Sequence, residues 1–376
     1  MAKAAYIHIP FCTHICHYCD FNKVFLKGQP VDRYLDALIL EMKMHRDELK
    51  EPIETVFIGG GTPTALSSNQ LERLLTAISD ILPLHANPEV TIEANPGDLD
   101  KEKLAVLKEG GINRLSIGVQ SFNDELLEKI GRVHRAKDVF ETIDTAKQIG
   151  FKNISIDLMY GLPGQKMEDV LDSLNQTFSL DIQHCSAYSL IVEPKTVFYN
   201  LLQKGKLPLP GEDIEGEMYD LIMEKMEAHG FIQYEISNYA KPGFESRHNL
   251  VYWNNEEYFG FGAGAHGYLN GIRRANIAPV NKYIQRIEEG ILPIRTETPI
   301  SEKEQREEEM FLGLRKTSGV SIDVFTKKFG VSPLVVYRDQ LSKLLEQQLI
   351  TIENNHIRLT KKGRFLGNDV FMEFIG

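Results

Sequence analysis

A chain of 376 residues that is 42% hydrophobic, 25% charged and 9% aromatic has an ordinary globular composition, with room for a main domain and one or two smaller ones. Its net charge of −11, from 42 basic and 53 acidic side chains, argues against a broad nucleic-acid-binding surface. No apolar run approaches the roughly 20 residues that span a bilayer, and four cysteines do not make a secreted disulfide scaffold, so a reducing cytoplasm is the expected location.

The N-terminal apolar stretch is broken by His8 and Pro10 and makes a poor signal peptide. Strands are expected at 5–9, 55–59, 89–93, 114–119, 153–159 and 184–190. Between them, segments 31–45, 68–82, 101–110, 137–150 and 167–178 repeat their apolar residues at helical spacing. Six strands alternating with helices imply a parallel sheet with right-handed crossovers, and several strands read as apolar on both faces. The expected fold is α/β, a partial (βα)6 barrel with its chemistry at the C-terminal strand ends. Past residue 205 the rhythm changes. A linker, KGKLPLPG, leads to a helix at 212–230 and then to a β-rich, Asn- and Tyr-rich stretch over 231–275. An acidic helix start at 301–314 opens a helix, helix and β-wing pattern that reads as a small winged-helix-like α+β domain. Its basic residues Lys361, Lys362 and Arg364 are few, which favours packing or docking over DNA binding. The expected division is a barrel over 1–205, an extension over 206–298 and the small domain over 299–376.

Residues 12–21, CTHICHYCDF, put Cys12, Cys16 and Cys19 on one loop directly after the first strand. Polar, His-rich surroundings speak against core cysteines, and a disulfide would strand one thiol. Structural zinc wants four ligands, for which His8, His14 and His17 are candidates. Thiolates also suit iron–sulfur clusters, and three ligands on a four-iron cluster would leave one iron open. GGGTPT (59–64) follows the second strand, where glycine lets backbone approach a ligand and exposed N–H groups can meet carboxylate or phosphate oxygens. Glu93, Gln120 and Asp157 are expected at or just past strand C-termini, where they would either line a polar pocket or cap helices.

The cysteine loop resembles that of the radical S-adenosylmethionine (SAM) superfamily, in which SAM occupies the open iron and is cleaved to a 5′-deoxyadenosyl radical. YIHIPFC, GGGTPT, Glu93, SIGVQSFN, Arg132 in IGRVH, and IDLMYGLPGQ occur in order. Over nearly the whole chain they resemble the oxygen-independent coproporphyrinogen III dehydrogenase family and its haem-chaperone branch. The resemblance implies a 4Fe–4S cluster on Cys12, Cys16 and Cys19. It also implies SAM contacts from Tyr6, Tyr18, Gly60, Gly61, Thr62, Glu93, Gln120, Arg132 and Asp157.

Two departures favour the chaperone branch over the dehydrogenase. The dehydrogenase pattern runs on to a fourth cysteine where this chain has Phe21, and it carries an extension before a first strand that here begins within five residues of Met1. In RHNLVYWNN (247–255), His248, Tyr252 and the only tryptophan, Trp253, fall together. Imidazole is a haem-iron ligand, although a lone His beside aromatics is more often structural. The stretch resembles the haem-binding motif of the chaperone branch, which implies haem at His248, Tyr252 and Trp253, with His266 a second candidate ligand. Cys185 reads as a core thiol. The implied partners are haem, haem-requiring respiratory membrane proteins as clients, a flavodoxin- or ferredoxin-type electron donor and a second copy of the chain. The rival expectation is the decarboxylase itself.

Overall fold

The computed structural model describes residues 2–376. Six strands, each followed by a helix, open the chain. They are β1 (Ala4–Ile9), β2 (Ile53–Gly60), β3 (Leu84–Ala94), β4 (Arg114–Gln120), β5 (Ile154–Tyr160) and β6 (His184–Ser189). The main crossover helices are α1 (Val31–Met44), α2 (Ser68–Ile81), α3 (Lys101–Glu109), α4 (Ala136–Ile149) and α5 (Met167–Ser179), and α6 (Glu212–Ala228) follows β6. Local chemistry fixes their ends. Ser67 and Gln70 form a capping box at the start of α2, Asp100 caps α3, and Gly150 ends α4 in the left-handed conformation.

All six strands pair in parallel, in order from β1 to β6. Their outward residues, among them Ile7, Ile9, Val56, Ile58, Ile92, Ile117 and Ile156, are fully buried under the helices. Each such side chain contributes about 1.5–3 kcal/mol of burial. The strands are not apolar on both faces. The alternate residues, including Tyr6, His8, Thr91, Glu93, Arg114, Ser116, Asp157 and His184, are polar and point into the barrel, because strand side chains alternate and this interior is not filled with hydrocarbon.

The segment after residue 231 extends this sheet at both ends. β7 (Ile232–Glu235) and β8 (Asn238–Ala240) add antiparallel strands beside β6. β9 (Tyr258–Phe261) pairs in parallel with β1, and β10 (His266–Leu269), β11 (Ile272–Asn276) and β12 (Ile294–Pro299) follow as antiparallel neighbours. The result is an open, mixed, twelve-stranded sheet whose terminal strands are β12 and β7. The chain linking β8 to β9 crosses from one side of the six-strand core to the other. It contains a helix, α7 (Arg247–Trp253), inside the stretch expected to be β-rich. Ser246 caps α7, and Glu89, distant in sequence, accepts the Arg247 and His248 N–H groups at 3.1 and 3.0 Å. That long-range cap explains why periodicity missed the helix.

After α8 (Val280–Glu288), α9 (Glu302–Arg315) leads into the small domain. There β13 (Val320–Ser321), β14 (Ile350–Glu353) and β15 (His356–Leu359) form a three-stranded sheet in the order β13-β15-β14. Three helices between β13 and β14 complete the winged-helix pattern, over a separate core that includes Met310, Leu314, Phe325 and Leu344. Among the described residues, no helix is long and apolar enough to cross a membrane.

Candidate functional site

The cysteine loop leaves β1 and returns beside it, because Phe11–Cys12 pairs with Val24–Phe25. Side chains brace the return. His8 Nε2 lies 2.8 Å from the Asn22 carbonyl and must therefore donate, which leaves Nδ1 to accept the Tyr6 hydroxyl at 2.9 Å. Asn22 Nδ2 donates to the carbonyls of Ala263 and Ala278 at 2.8 and 3.2 Å. Farther round, His17 bonds the Ile130 and Lys129 carbonyls, and its own carbonyl accepts the Phe198 N–H.

Cys12 is buried, while Cys16 and Cys19 are half-buried. Burial pushes the Cys12 thiol up to about 11, opposed by a 3.5 Å hydrogen bond from the Thr62 hydroxyl. Cys19 is raised for the same first reason. Only the thiolate is a ligand, so a metal bound here would have to displace these protons. Among the described residues, no three His, Cys, Asp or Glu side chains converge as a single-ion site requires. Both His8 nitrogens are already engaged, so His8 is not free to be a fourth zinc ligand. Three thiols spaced around a shared cavity fit a cluster, where each thiolate takes a different iron.

That cavity, of about 340 Å³, lies at the C-terminal strand ends and is lined by all three cysteines. Tyr18, Gly60, Gly61, Thr62, Glu93, Gln120, Arg132 and Asp157 share its wall. Tyr6 is not on the wall. Its hydroxyl is turned to His8 and its ring stacks on Phe57 deeper in the barrel, at 6.3 Å. Asn95, Ser116, Met159 and Tyr188 line the cavity without having been singled out. The signal for two of them was present, since Asn95 and Met159 stand two residues beyond Glu93 and Asp157 in extended chain.

The glycine turn works differently from expectation. Three of its N–H groups are used within the protein: Gly60 donates to Glu93 Oε2 at 2.9 Å, Gly61 to Ile9 and Thr62 to Phe11, both at 2.8 Å. They are therefore not available to a ligand's oxygens. Glycine is required for another reason. Gly60 has φ +114, and a Cβ there would meet the His8 ring at 2.4 Å, while one on Gly61 would meet the Phe11 carbonyl at 2.8 Å.

Charge in the pocket is strongly coupled to burial. Glu93 is raised to about 7, first by burial and then by Asp157, against the Gly60 N–H. Asp157 is raised by burial, opposed by Ser186, Arg114 and Arg132. It sits within β5, facing the lumen, rather than at the strand end. Arg132 donates to the Tyr18 hydroxyl at 2.8 Å and to Asn95 Oδ1, yet its Nε is buried without a partner. Gln120 closes β4 in the left-handed region at φ +67, an outlier of the kind that gathers at binding sites.

The second set of candidates lies elsewhere. His248 is 1% exposed and stacks on Phe57 at 5.3 Å. Nδ1 is hydrogen-bonded to Thr55 Oγ1 and Nε2 to the Tyr252 hydroxyl, both at 2.9 Å. Burial, then the charge of Arg114, lowers its pKa to about 3. Both of its nitrogens are thus hydrogen-bonded within the protein. Thr55 stands five residues before Gly60 on β2, so α7 closes the barrel end opposite the cysteines, about 17 Å down the strand. Tyr252 and Trp253 are half-buried, and Trp253 carries the Arg315 guanidinium 4.5 Å from its ring centroid. His266 is exposed, and Cys185 is buried in the core as expected.

Along its full length the chain is 56% identical to the heme chaperone HemW of Bacillus subtilis, covering 100% of this chain and 99% of the relative. The chain belongs to the HemW family. It is also 48% identical to the Lactococcus lactis heme chaperone HemW, over 99% of this chain and 97% of that protein. Residues 6–177 match the radical SAM superfamily and residues 300–366 the HemN C-terminal domain. In fold, the Escherichia coli coproporphyrinogen III oxidase (HemN) superposes with a TM-score of 0.87 at 23% identity, over 99% of this chain and 90% of that one. Membership of the superfamily implies a 4Fe–4S cluster and SAM. The splayed thiols, the unpartnered Arg132 Nε and the acidic wall of the cavity are compatible with both.

Proposed function

We propose that this HemW-family chain is a haem chaperone: it takes haem as cargo and passes it to haem-requiring respiratory proteins in the membrane, working from the cytoplasm. Residues 1–205 hold the cofactors, 206–298 the cargo, and 299–376 close over the cargo side. Cys12, Cys16 and Cys19 would hold the cluster, which, once reduced by a flavodoxin- or ferredoxin-type donor, would supply electrons for SAM cleavage. Glu93 and the glycine turn receive the SAM ammonium, since a cation needs acceptors and three of the N–H groups there are already spent. Arg132, anchored by Tyr18 and Asn95, offers its remaining donor to an anionic or hydroxyl group of SAM. Asp157 and Gln120 complete the polar wall.

The observation that carries the reading is a separation. The stretch expected to handle haem closes one end of the barrel, and the thiols line a cavity of about 340 Å³ at the other. Hydrogen abstraction requires substrate and cofactor in contact. A macrocycle at α7 is out of reach of SAM. This favours cargo handling over decarboxylation.

The test is direct. The anaerobically reconstituted chain, given SAM, a reductant and coproporphyrinogen III, is expected to form no protoporphyrinogen. The same preparation is expected to bind haem and donate it to an apo-cytochrome. Protoporphyrinogen formation refutes the chaperone assignment, and so does an absence of haem binding.

A further inference from the structure

On the wall of the cysteine-lined cavity a run of side chains passes hydrogen bonds in one direction. Arg132 Nη1 donates to Asn95 Oδ1, Asn95 Nδ2 donates to Thr62 Oγ1 at 3.3 Å, and the Thr62 hydroxyl donates to Cys12 Sγ at 3.5 Å. The neighbours of Asn95 dictate how its amide is turned. A guanidinium only donates, so Oδ1 must face Arg132, and Asp98 Oδ2 takes an Nδ2 hydrogen at 3.2 Å. Because Asn95 donates to it, the Thr62 hydroxyl keeps its own hydrogen for the sulfur. The direction is therefore fixed, from cation to thiol. At the other side of the guanidinium, Nη2 donates at 2.8 Å to the hydroxyl of Tyr18, which stands between Cys16 and Cys19 in the loop. Gly118 of β4 leaves room for the crossing: a Cβ there would meet Arg132 Nη2 at 3.1 Å and Asn95 Oδ1 at 3.4 Å.

Hydrogen bonds in series polarise one another where the dielectric is low, so a cation at one end strengthens the donor at the other. A donor on a cluster ligand favours the reduced state, because reduction adds negative charge that the sulfurs share. Arg132 reaches Thr62 only through Asn95. We propose that Asn95 is a positioning residue that joins Arg132 to Thr62, and that this chain, ending on Cys12, raises the reduction potential of the cluster. The inference rests on the reading that the three cysteines hold a four-iron cluster, and deepens it. Nothing is transferred along the chain; it acts on Cys12 by polarisation alone.

The experiment is a redox titration of the anaerobically reconstituted full chain, without SAM, followed by electron paramagnetic resonance of the reduced cluster. Asn95→Leu and Thr62→Val are each expected to lower the reduced-to-oxidised ratio at a fixed potential about tenfold, a shift of about 59 mV to more negative values. The double variant is expected to fall no further than Thr62→Val alone, because both changes break the same chain. Thr62→Ser keeps the hydroxyl and is expected to stay within about twofold of wild type. A merely structural role would cost bound iron or melting temperature and leave the potential of the loaded fraction in place. The potential is read only from chains that carry a cluster, so incomplete loading does not mask it. Asn95 bonds no cysteine, so Asn95→Leu decides the question where Thr62→Val loads poorly. Wild-type potentials in the single variants overturn the inference and leave the cluster reading standing. Losses that add in the double variant also overturn it, since they make Asn95 and Thr62 independent. A wild-type chain that assembles no cluster removes the cluster reading itself, and the inference with it.

Discussion

Glu93→Gln separates what the pocket carboxylate does for the fold from what it does for the cofactor. Glutamine keeps an oxygen for the Gly60 N–H, so the hydrogen bond at 2.9 Å survives while the charge is lost. In the folded chain the carboxyl titrates near 7 against an ordinary 4.5, mainly through burial. Between those values the folded state holds a proton that the unfolded state has released. Stability therefore falls as pH rises through this window, is unaffected below it, and carries a constant penalty above it. A gap from 4.5 to about 7 corresponds to about 3 kcal/mol. The unliganded variant should match wild type near about pH 4 and exceed it by up to about 3 kcal/mol near about pH 8, a urea midpoint shift of about 1 M. Glu41, also raised to about 7 by burial despite three donors, is present in both proteins and cancels in the difference. SAM affinity should move the other way, dropping about tenfold or more through loss of a charge-assisted contact. Urea unfolding across pH, paired with calorimetric SAM titration, measures both. Parallel stability curves for the two proteins would show that Glu93 is not an ionised buried group. Unchanged SAM affinity would remove it from the cofactor site.

Gly60→Ala should cost at least about 1–3 kcal/mol, from positive φ and from a Cβ placed 2.4 Å from the His8 ring. A loss below about 0.5 kcal/mol in urea unfolding would show that His8 yields freely. Asn22→Ala removes two hydrogen bonds to the Ala263 and Ala278 carbonyls and should cost about 1–2 kcal/mol. The cluster absorbance of that variant should also decay faster under a chelator than that of wild type. Cys16→Ser should lower bound iron well below about four per chain after anaerobic reconstitution. Its far-UV dichroism and melting should stay those of the metal-free wild type, because Cys16 is half-buried and the loop is pinned by hydrogen bonds.

The six strands and the crossover helices were legible because hydrophobic periodicity is local and the turns between them are short. The cofactor pocket was legible for a related reason: strand ends converge in a parallel sheet, so Glu93 and Gln120 meet although 27 positions apart. What the sequence hid depended on distant partners. A seven-residue helix within a β-rich stretch needs Glu89 to cap it, and nothing near Arg247 announces that. The side on which each later strand joins is set by which edge is free, so β7 and β9 could be read as strands without revealing that they sit at opposite ends of the core. His248 shows the limit most plainly. Nothing in its motif announced its two hydrogen bonds, one of them to a residue 193 positions away.

The pairing of β1 with β9 also sets an order of events during synthesis. β1 is among the first segments to leave the ribosome, but one of its two neighbours is residues 258–261. Until then it offers a bare parallel edge, the kind of surface that invites wrong partners. The cysteine loop is in the same position, since Asn22 finds its acceptors only when Ala263 and Ala278 have been made. A nascent chain stopped short of them lacks these two braces on the loop that carries three thiols.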